Sequence, residues 1–539
     1  STLSQGLNFQ PGVRVETNCQ NCGFQQVRIN GLDGPYTQIL IDSRPVFSAL
    51  SGVYGLEQIP ASMIERVEVM RGGGSALFGS SAIAGTINII TKEPLRNSGQ
   101  LSHTITSLGG SSSFDNNTSL NASLVTDDHR AGLYIFGQNR YRSGYDYDGD
   151  GFTELPKLKN QTVGFRSYLK TSTYSKLTFE YHHMQEFRRG GDMLNRPPHE
   201  AHIAEQLQHS IDGGSLKFDY FSPDEKNRLS VFASAANTDR DSYYGPGNDP
   251  LKAYGKTTDL TAMGGAQYVH TFDKCFFMPS DLTAGLEYNR DRLKDNMWGY
   301  NRHTDQTVNI YSAFLQNEWK NDRWGILIGG RLDKHNMVDN VIFSPRANLR
   351  FNPTQNINLR LSYSSGFRAP QAFDEDMHIE NVGGTVAMIE RAKDLKEEKS
   401  QSFSVSADMY HRFGAFQTNL LIEGFYTRLT DVFVLGKPYD RGDGILVKTR
   451  SNGPGAKVMG LTLEGKVAYL SILQIQAGLT LQRSRYDEPH KWHDDAPAEK
   501  KIFRTPDTYG YFTATCTPIK PLSIALSGTY TGRMLVQRM

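Results

Sequence analysis

Beyond residue 94 the chain is written in segments of roughly 10 to 13 residues whose side chains alternate apolar and polar, divided in turn by very short polar connections and by long loops. Leu359, Leu361 and Tyr363 alternate with Asn358, Arg360 and Ser362; Leu461, Leu463, Gly465, Val467 and Tyr469 alternate with polar or small neighbours. This period puts every second side chain on one face of a strand. No run of about 18 apolar residues occurs, so a membrane-spanning helix is not predicted and any crossing of a bilayer falls to strands. Alternating segments of about ten residues are the length a tilted strand needs to face lipid on one side and a polar lumen on the other. The pattern predicts an all-β transmembrane barrel.

Short connections are expected at residues 127–129, 171–174, 321–323, 352–355, 411–414 and 518–521, with long loops between them. In outer-membrane barrels the short turns are periplasmic and the long loops extracellular, which fixes the sidedness. Walking from Gln100 gives about 19 strands, the last over residues 522–533. Barrels of this class close with even numbers, so a complete barrel of about 22 antiparallel strands is expected, with about three strands outside this chain.

The charge balance excludes one class of partner. Lys and Arg total 58 against 57 Asp and Glu, so no basic field is available to hold nucleic acid. The 51 glycines, 26 tyrosines and 28 phenylalanines suit a turn-rich β protein.

The first ninety-odd residues have another texture: short strands in VRVET, QVRINGL, TQILIDS, RVEVM and GTINIITK, and a short helix over residues 54–63. They read as a small α/β domain of residues 1–96, leaving 97–539 to the barrel. Within it, Gly74-Ser75-Ala76-Leu77-Phe78-Gly79-Ser80-Ser81 has the glycine spacing of a phosphate loop but a serine where the lysine should stand. Nucleotide binding is therefore not predicted, and the glycines are read as positions of close backbone approach.

Three other groups of residues invite chemistry. Cys19 and Cys22 supply two ligands of the four a structural zinc needs, so a local disulfide is the expectation. Asp146, Asp148 and Asp150, with Gly151 next and Glu154 beyond, match half of a calcium loop, although Lys157 stands where the bidentate glutamate should be. A calcium-ordered outer loop and a plain acidic turn both fit. Tyr243, Tyr244, Trp298, Tyr300 and Phe373 fit either a binding surface or an aromatic girdle at the bilayer interface.

The N-terminal series closely resembles the plug of TonB-dependent outer-membrane receptors. It runs through Gln26-Val27-Arg28-Ile29-Asn30-Gly31, Gln38-Ile39-Leu40-Ile41-Asp42, Ile64-Glu65-Arg66-Val67-Glu68-Val69, Arg71-Gly72-Gly73-Gly74 and Ala84-Gly85-Thr86-Ile87-Asn88-Ile89-Ile90-Thr91-Lys92. Gly366-Phe367-Arg368-Ala369-Pro370 looks like the FRAP box of that family's haem and cobalamin branch. The resemblance implies a plugged barrel of a Gram-negative outer membrane that imports a scarce nutrient, makes or breaks no bond, and draws energy from TonB. The family's TonB box is expected before Ser1. The wording of the plug resembles Bacteroidetes members, which implies a surface lipoprotein lid as a second partner.

Among tetrapyrrole ligands, haem receptors of the family place one histidine on the plug apex and another after the FRAP box. Residues 1–94 contain no histidine, His378 follows the FRAP box, and Ala392-Lys393-Asp394-Leu395 replaces the haem receptors' motif. Cobalamin is therefore favoured over haem. The plug apex is placed at residues 32–36, 43–47 and 53–54, with Asp33, Tyr36, Arg44 and Tyr54, joined by Arg368 and His378, as ligand-binding candidates. A passive porin and a surface adhesin or docking platform are the rival readings; the plug argues against the first, and the second predicts partner binding without TonB-dependent uptake.

Overall fold

The computed structural model describes residues 3–19, 23–44, 56–72, 79, 82–246, 253–382, 385–491 and 496–536. A large antiparallel wall surrounds a small N-terminal plug. Among the described residues the wall has nineteen long strands, from Ser98–Ser107 to Leu522–Thr531, and the three-residue Glu499–Lys501 laid against Leu473–His490. The strand order places Leu522–Thr531 beside Ser98–Ser107, the two wall strands that are exposed along almost their whole length; among the described residues no ladder of paired residues joins them.

The alternation has the expected physical meaning. Leu361, Val405 and Leu461 are exposed on the outer face, while Ser364, Ser402 and Thr462 are buried on the lumenal one. All six expected short connections lie at one end of the wall, together with three more over 222–226, 276–277 and 470–472.

Segment length needs correction. The strands Ser175–Gly191 to Arg302–Lys320 run to between 17 and 22 residues rather than 10 to 13. A bilayer needs about 9–11 residues per strand, so these continue past the lipid as hydrogen-bonded ribbons. There neither face meets hydrocarbon, and the apolar alternation stops although the ladder does not.

Inside the wall, β1 (Val13–Cys19) and β2 (Phe24–Ile29) form an antiparallel hairpin. β3 (Thr37–Ile41), β4 (Ile64–Arg71) and β5 (Gly85–Thr91) form a mixed sheet with β5 central, parallel to β3 and antiparallel to β4. Ile87 and Ile89 of β5 are fully buried in the plug core with Ile29 and Val27. At Gly85 a Cβ would lie 2.3 Å from the Met70 carbonyl oxygen, but at Gly79, the described glycine of the phosphate-loop-like stretch, it would meet nothing nearer than Gln38 Nε2 at 3.5 Å; there the glycine serves a positive φ of 99° and not a close approach. Gly74 to Phe78, Ser80 and Ser81 lie outside the described residues. Of the expected helix, the described part is helical only over residues 56–58, followed by a 3-10 turn at Ala61–Met63.

The long loops hold an element the sequence did not announce. Glu380–Val382, Thr385–Arg391, Ile445–Asn452, Phe433–Leu435 and Tyr439–Asp440 join in a five-stranded sheet built from two loops, with Thr385–Arg391 parallel to Ile445–Asn452. Val386, Met388 and Ile445 pack there with Tyr243, Tyr244 and Tyr300.

Candidate functional site

The extracellular end of the plug meets the wall beneath this cap. Tyr36 immediately precedes β3, and Arg368 and Glu398 stand directly opposite each other across two neighbouring wall strands, Ile357–Arg368 and Glu398–Phe413. The Tyr36 hydroxyl donates to Glu398 Oε1 at 2.6 Å. Burial, and then the Glu398 charge, push the Tyr36 pKa well above its ordinary value, so the phenol keeps its proton and remains a donor. The Arg368 guanidinium carbon sits 4.5 Å from the Phe373 ring centroid, 5.3 Å from that of Phe433 and 5.8 Å from that of Tyr36. Three ring faces thus hold a planar cation. Asp33 is ion-paired with Arg28 on the adjacent plug strand.

Beside this group, Glu57 reaches into the wall. Its carboxylate meets Arg188 at 2.8 Å, Arg142 at 3.3 Å and Arg140 at 3.6 Å. Burial raises its pKa, but the three guanidinium groups overcome that and hold it at about 2. Arg188 also pairs with Glu186 at 2.7 Å, and Gln58 donates to the same Glu186 at 3.2 Å. Further out, Arg240 of the wall pairs with Asp374 at 2.7 Å in the four-residue helix Asp374–Met377, and Arg450 of the cap sheet pairs with Asp376. Charged contacts therefore tie plug to wall and wall to cap.

In the acidic loop, Asp146 accepts from the Gly149 and Gly151 amides at 2.7 and 2.9 Å, both glycines having φ in the left-handed region. Asp146, Asp148 and Glu154 bring one oxygen each within 4.8 Å of one another. Asp150 is not in that group; it accepts from the Phe152 amide at 2.8 Å. The donor set is all carboxylate oxygen, which suits a hard divalent cation.

Two family models cover this architecture. One, described as "TonB-dependent Receptor Plug Domain", matches residues 1–86; the other, "TonB dependent receptor-like, beta-barrel", matches residues 83–533. The chain belongs to the TonB-dependent receptor family. It is accordingly an outer-membrane protein that crosses the bilayer with strands, and its family is one of transport receptors rather than enzymes.

Among curated relatives, this receptor is 36% identical to a ferric enterobactin receptor of Pseudomonas aeruginosa over 104 residues, 17% of this chain and 14% of that one. It is 23% identical to the vitamin B12 transporter BtuB of Vibrio vulnificus over 390 residues, 69% of this chain and 58% of the relative. The matched stretches thus span less than two thirds of either relative. Among solved structures, the siderophore receptor PirA of Acinetobacter baumannii superposes with a TM-score of 0.81 at 17% identity, covering 99% of this chain and 84% of that one. The alcaligin receptor FauA of Bordetella pertussis gives 0.68 at 14% identity, with 99% and 85% covered. Identities this low speak to the fold alone.

The receptor brings Tyr36, Asp33 and Arg368 to its extracellular end but separates the other candidates from them. Arg44 lies at the opposite, short-turn end, its guanidinium 3.8 Å from the centroid of Phe232, near the 222–226 turn. The apex placement of Arg44 is thus corrected. β3 runs between Tyr36 and Arg44, so both cannot be apical. His378 is in the cap, its Nε2 3.5 Å from Glu205 and its ring beside Tyr244. Tyr54 and Cys22 lie outside the described residues, as does the side chain of Cys19, so the disulfide expectation falls there too. Tyr243, Tyr244 and Tyr300 are buried under the cap sheet, which overturns an aromatic girdle for them; Trp298 is exposed. Sequence reasoning missed Glu57, Glu398 and Asp374. Only Asp374 carried a signal, through its nearness to the FRAP box.

Proposed function

We propose that the receptor imports a corrinoid, cobalamin being the simplest member, by active transport energised through TonB. The observation that supports this choice of ligand is the charge balance of the buried surface. Among the described residues ten arginines are buried, and eight of them (Arg14, Arg28, Arg140, Arg142, Arg188, Arg240, Arg331 and Arg450) are ion-paired with carboxylates. A ferric catecholate is polyanionic and calls for uncompensated cations. A corrinoid, ringed with neutral amides, calls for matched donors and acceptors.

The 69% of the chain that aligns with a vitamin B12 transporter agrees with this reading. In it, ligand contacts Tyr36, Arg368 and their neighbours once the cap lifts, and binding shifts the plug between two states of different affinity. Calcium is the ion we assign to Asp146, Asp148 and Glu154, ordering an outer loop. A surface lipoprotein over the cap belongs to the same reading and is tested by pull-down from membranes.

The deciding experiment is the absorption spectrum of purified protein after incubation with cyanocobalamin, haemin or ferric enterobactin and removal of free ligand by gel filtration. Retention of cyanocobalamin alone is expected. Retention of haemin or ferric enterobactin in its place overturns the corrinoid reading.

A further inference from the structure

Arg368 and Glu398 are oppositely charged, directly cross-strand and buried, yet their hydrogen-bonding capacity is not spent on each other. Among the described residues, Arg368 Nε and Nη2 have no hydrogen-bond partner, nor has Glu398 Oε2. The surroundings explain why they stay apart. Phe373, Phe433 and Tyr36 present ring faces to the guanidinium, while the Tyr36 hydroxyl donates to Glu398 Oε1 and the Phe433 backbone amide donates to the same carboxylate. Glu398 is fully buried and Arg368 is 8% exposed, so bulk water does not supply the missing bonds. Buried donors and an acceptor left unsatisfied are costly, and where they persist side by side they mark a place for a group that satisfies both.

We propose that Arg368 and Glu398 form a subsite for a primary carboxamide on the rim of the ligand. The amide oxygen accepts from Arg368 Nε or Nη2, and the amide nitrogen donates to Glu398 Oε2. Other groups fit less well. A carboxylate meets the Glu398 charge above about 7, the value to which burial raises the Glu398 pKa, and an ammonium meets Arg368. A hydroxyl offers donor and acceptor from a single atom, whereas the unspent groups stand on two facing strands. Tyr36 acts as a positioning residue that aims Glu398, and Phe373 and Phe433, from the two cap loops, close over the pair. The identity of the amide's carrier rests on the corrinoid reading above; the amide chemistry does not.

Two measurements are made on the detergent-solubilised protein and on the isosteric variant Glu398→Gln. The first is equilibrium dialysis with cyanocobalamin and with its monocarboxylic acids, in which one peripheral amide is hydrolysed. Wild type is expected to bind at least one acid isomer about tenfold or more weakly than the parent. Glu398→Gln should narrow that difference to about threefold or less. An unchanged difference in the variant, or no discrimination in wild type, overturns the subsite.

The second measurement is fluorine NMR with trifluoroacetamide and trifluoroacetate as small probes. Selective broadening of the amide by wild type, lost in Arg368→Leu, is expected. Equal broadening of both probes, or none, overturns the proposal. If wild type binds no corrinoid, the first measurement rejects the carrier and the second still decides the amide subsite.

Discussion

Glu57 of the plug and Arg188 of the wall meet at 2.8 Å with side chains only 4% and 1% exposed, so the plug is held at its extracellular end by a desolvated ion pair. Arg140 and Arg142 crowd the same carboxylate. Glu57→Gln leaves those cations without their shared anion, a loss of about 3–5 kcal/mol for a buried pair broken on one side. The wall keeps its ladders. The expected outcome is a plug that is proteolysed faster and a barrel that conducts ions in planar bilayers, with the heat-modifiable mobility of the barrel unchanged. Because the Glu57 pKa is depressed to about 2, its contribution is present above the unfolded value of about 4.5 and is lost as pH falls through about 2. Conductance that rises only below about pH 4 in wild type is the matching signature.

Asp374 has the opposite sign. Burial raises its pKa to about 6 in spite of the pull of Arg240. A carboxyl whose folded pKa is raised contributes stability that is full below its unfolded value of about 3.8 and is lost as pH rises through about 6. The cap helix Asp374–Met377 should therefore be held more firmly at pH 5 than at pH 7. A spin label on exposed Tyr439 of the cap sheet should gain mobility across that interval, and Asp374→Asn should flatten the change. A pH-independent signal in wild type would contradict this assignment.

How much of this was legible beforehand depended on whether the signal was local. Alternation in Leu359, Leu361 and Tyr363 reports each strand's own two faces, so the wall, its short-turn end and its number of long strands could be read directly. The plug was legible through a long ordered series of short motifs. What failed were contacts set by orientation. Tyr36 and Arg44 flank a five-residue strand that separates them by about 17 Å. Sequence alone does not tell which end points outward, and Arg44 was assigned to the wrong one. Glu57 lies 131 positions from Arg188, and Thr385–Arg391 pairs with a strand some sixty residues on. A pairing at that distance leaves no periodic trace in either partner.

The acidic loop makes a separate prediction. Asp146 is fixed by two glycine amides and faces Asp148 and Glu154, whereas Asp150 turns to its own loop backbone. Terbium should bind here and be sensitised by the neighbouring Tyr147, with the luminescence competed away by calcium. Asp146→Asn should abolish the signal and Asp150→Asn should leave most of it. Calcium should also slow proteolysis within residues 143–156. Equal loss in both variants would reduce the cluster to a solvated acidic turn.

On the corrinoid reading, Tyr36 at one end of β3 is expected to serve ligand recognition, and Arg44 at the other end only plug anchoring. Tyr36 donates to buried Glu398 at 2.6 Å, a hydrogen bond that contributes about 0.5–1.5 kcal/mol while Glu398 is neutral and about 1.5–3 kcal/mol once it ionises above its raised pKa of about 7. Tyr36→Phe removes that donor, frees Glu398 to rotate, and should weaken cyanocobalamin binding by about tenfold or more. Arg44 rests on Phe232 at the short-turn end, where a partly desolvated cation–π contact contributes about 0.5–2 kcal/mol. Arg44→Ala should therefore loosen the plug slightly, seen as faster proteolysis, and leave cyanocobalamin affinity within about twofold of wild type. Titration of both variants by absorbance makes the comparison. A large affinity loss in Arg44→Ala with none in Tyr36→Phe would place the ligand at the wrong end of the plug and overturn the assignment.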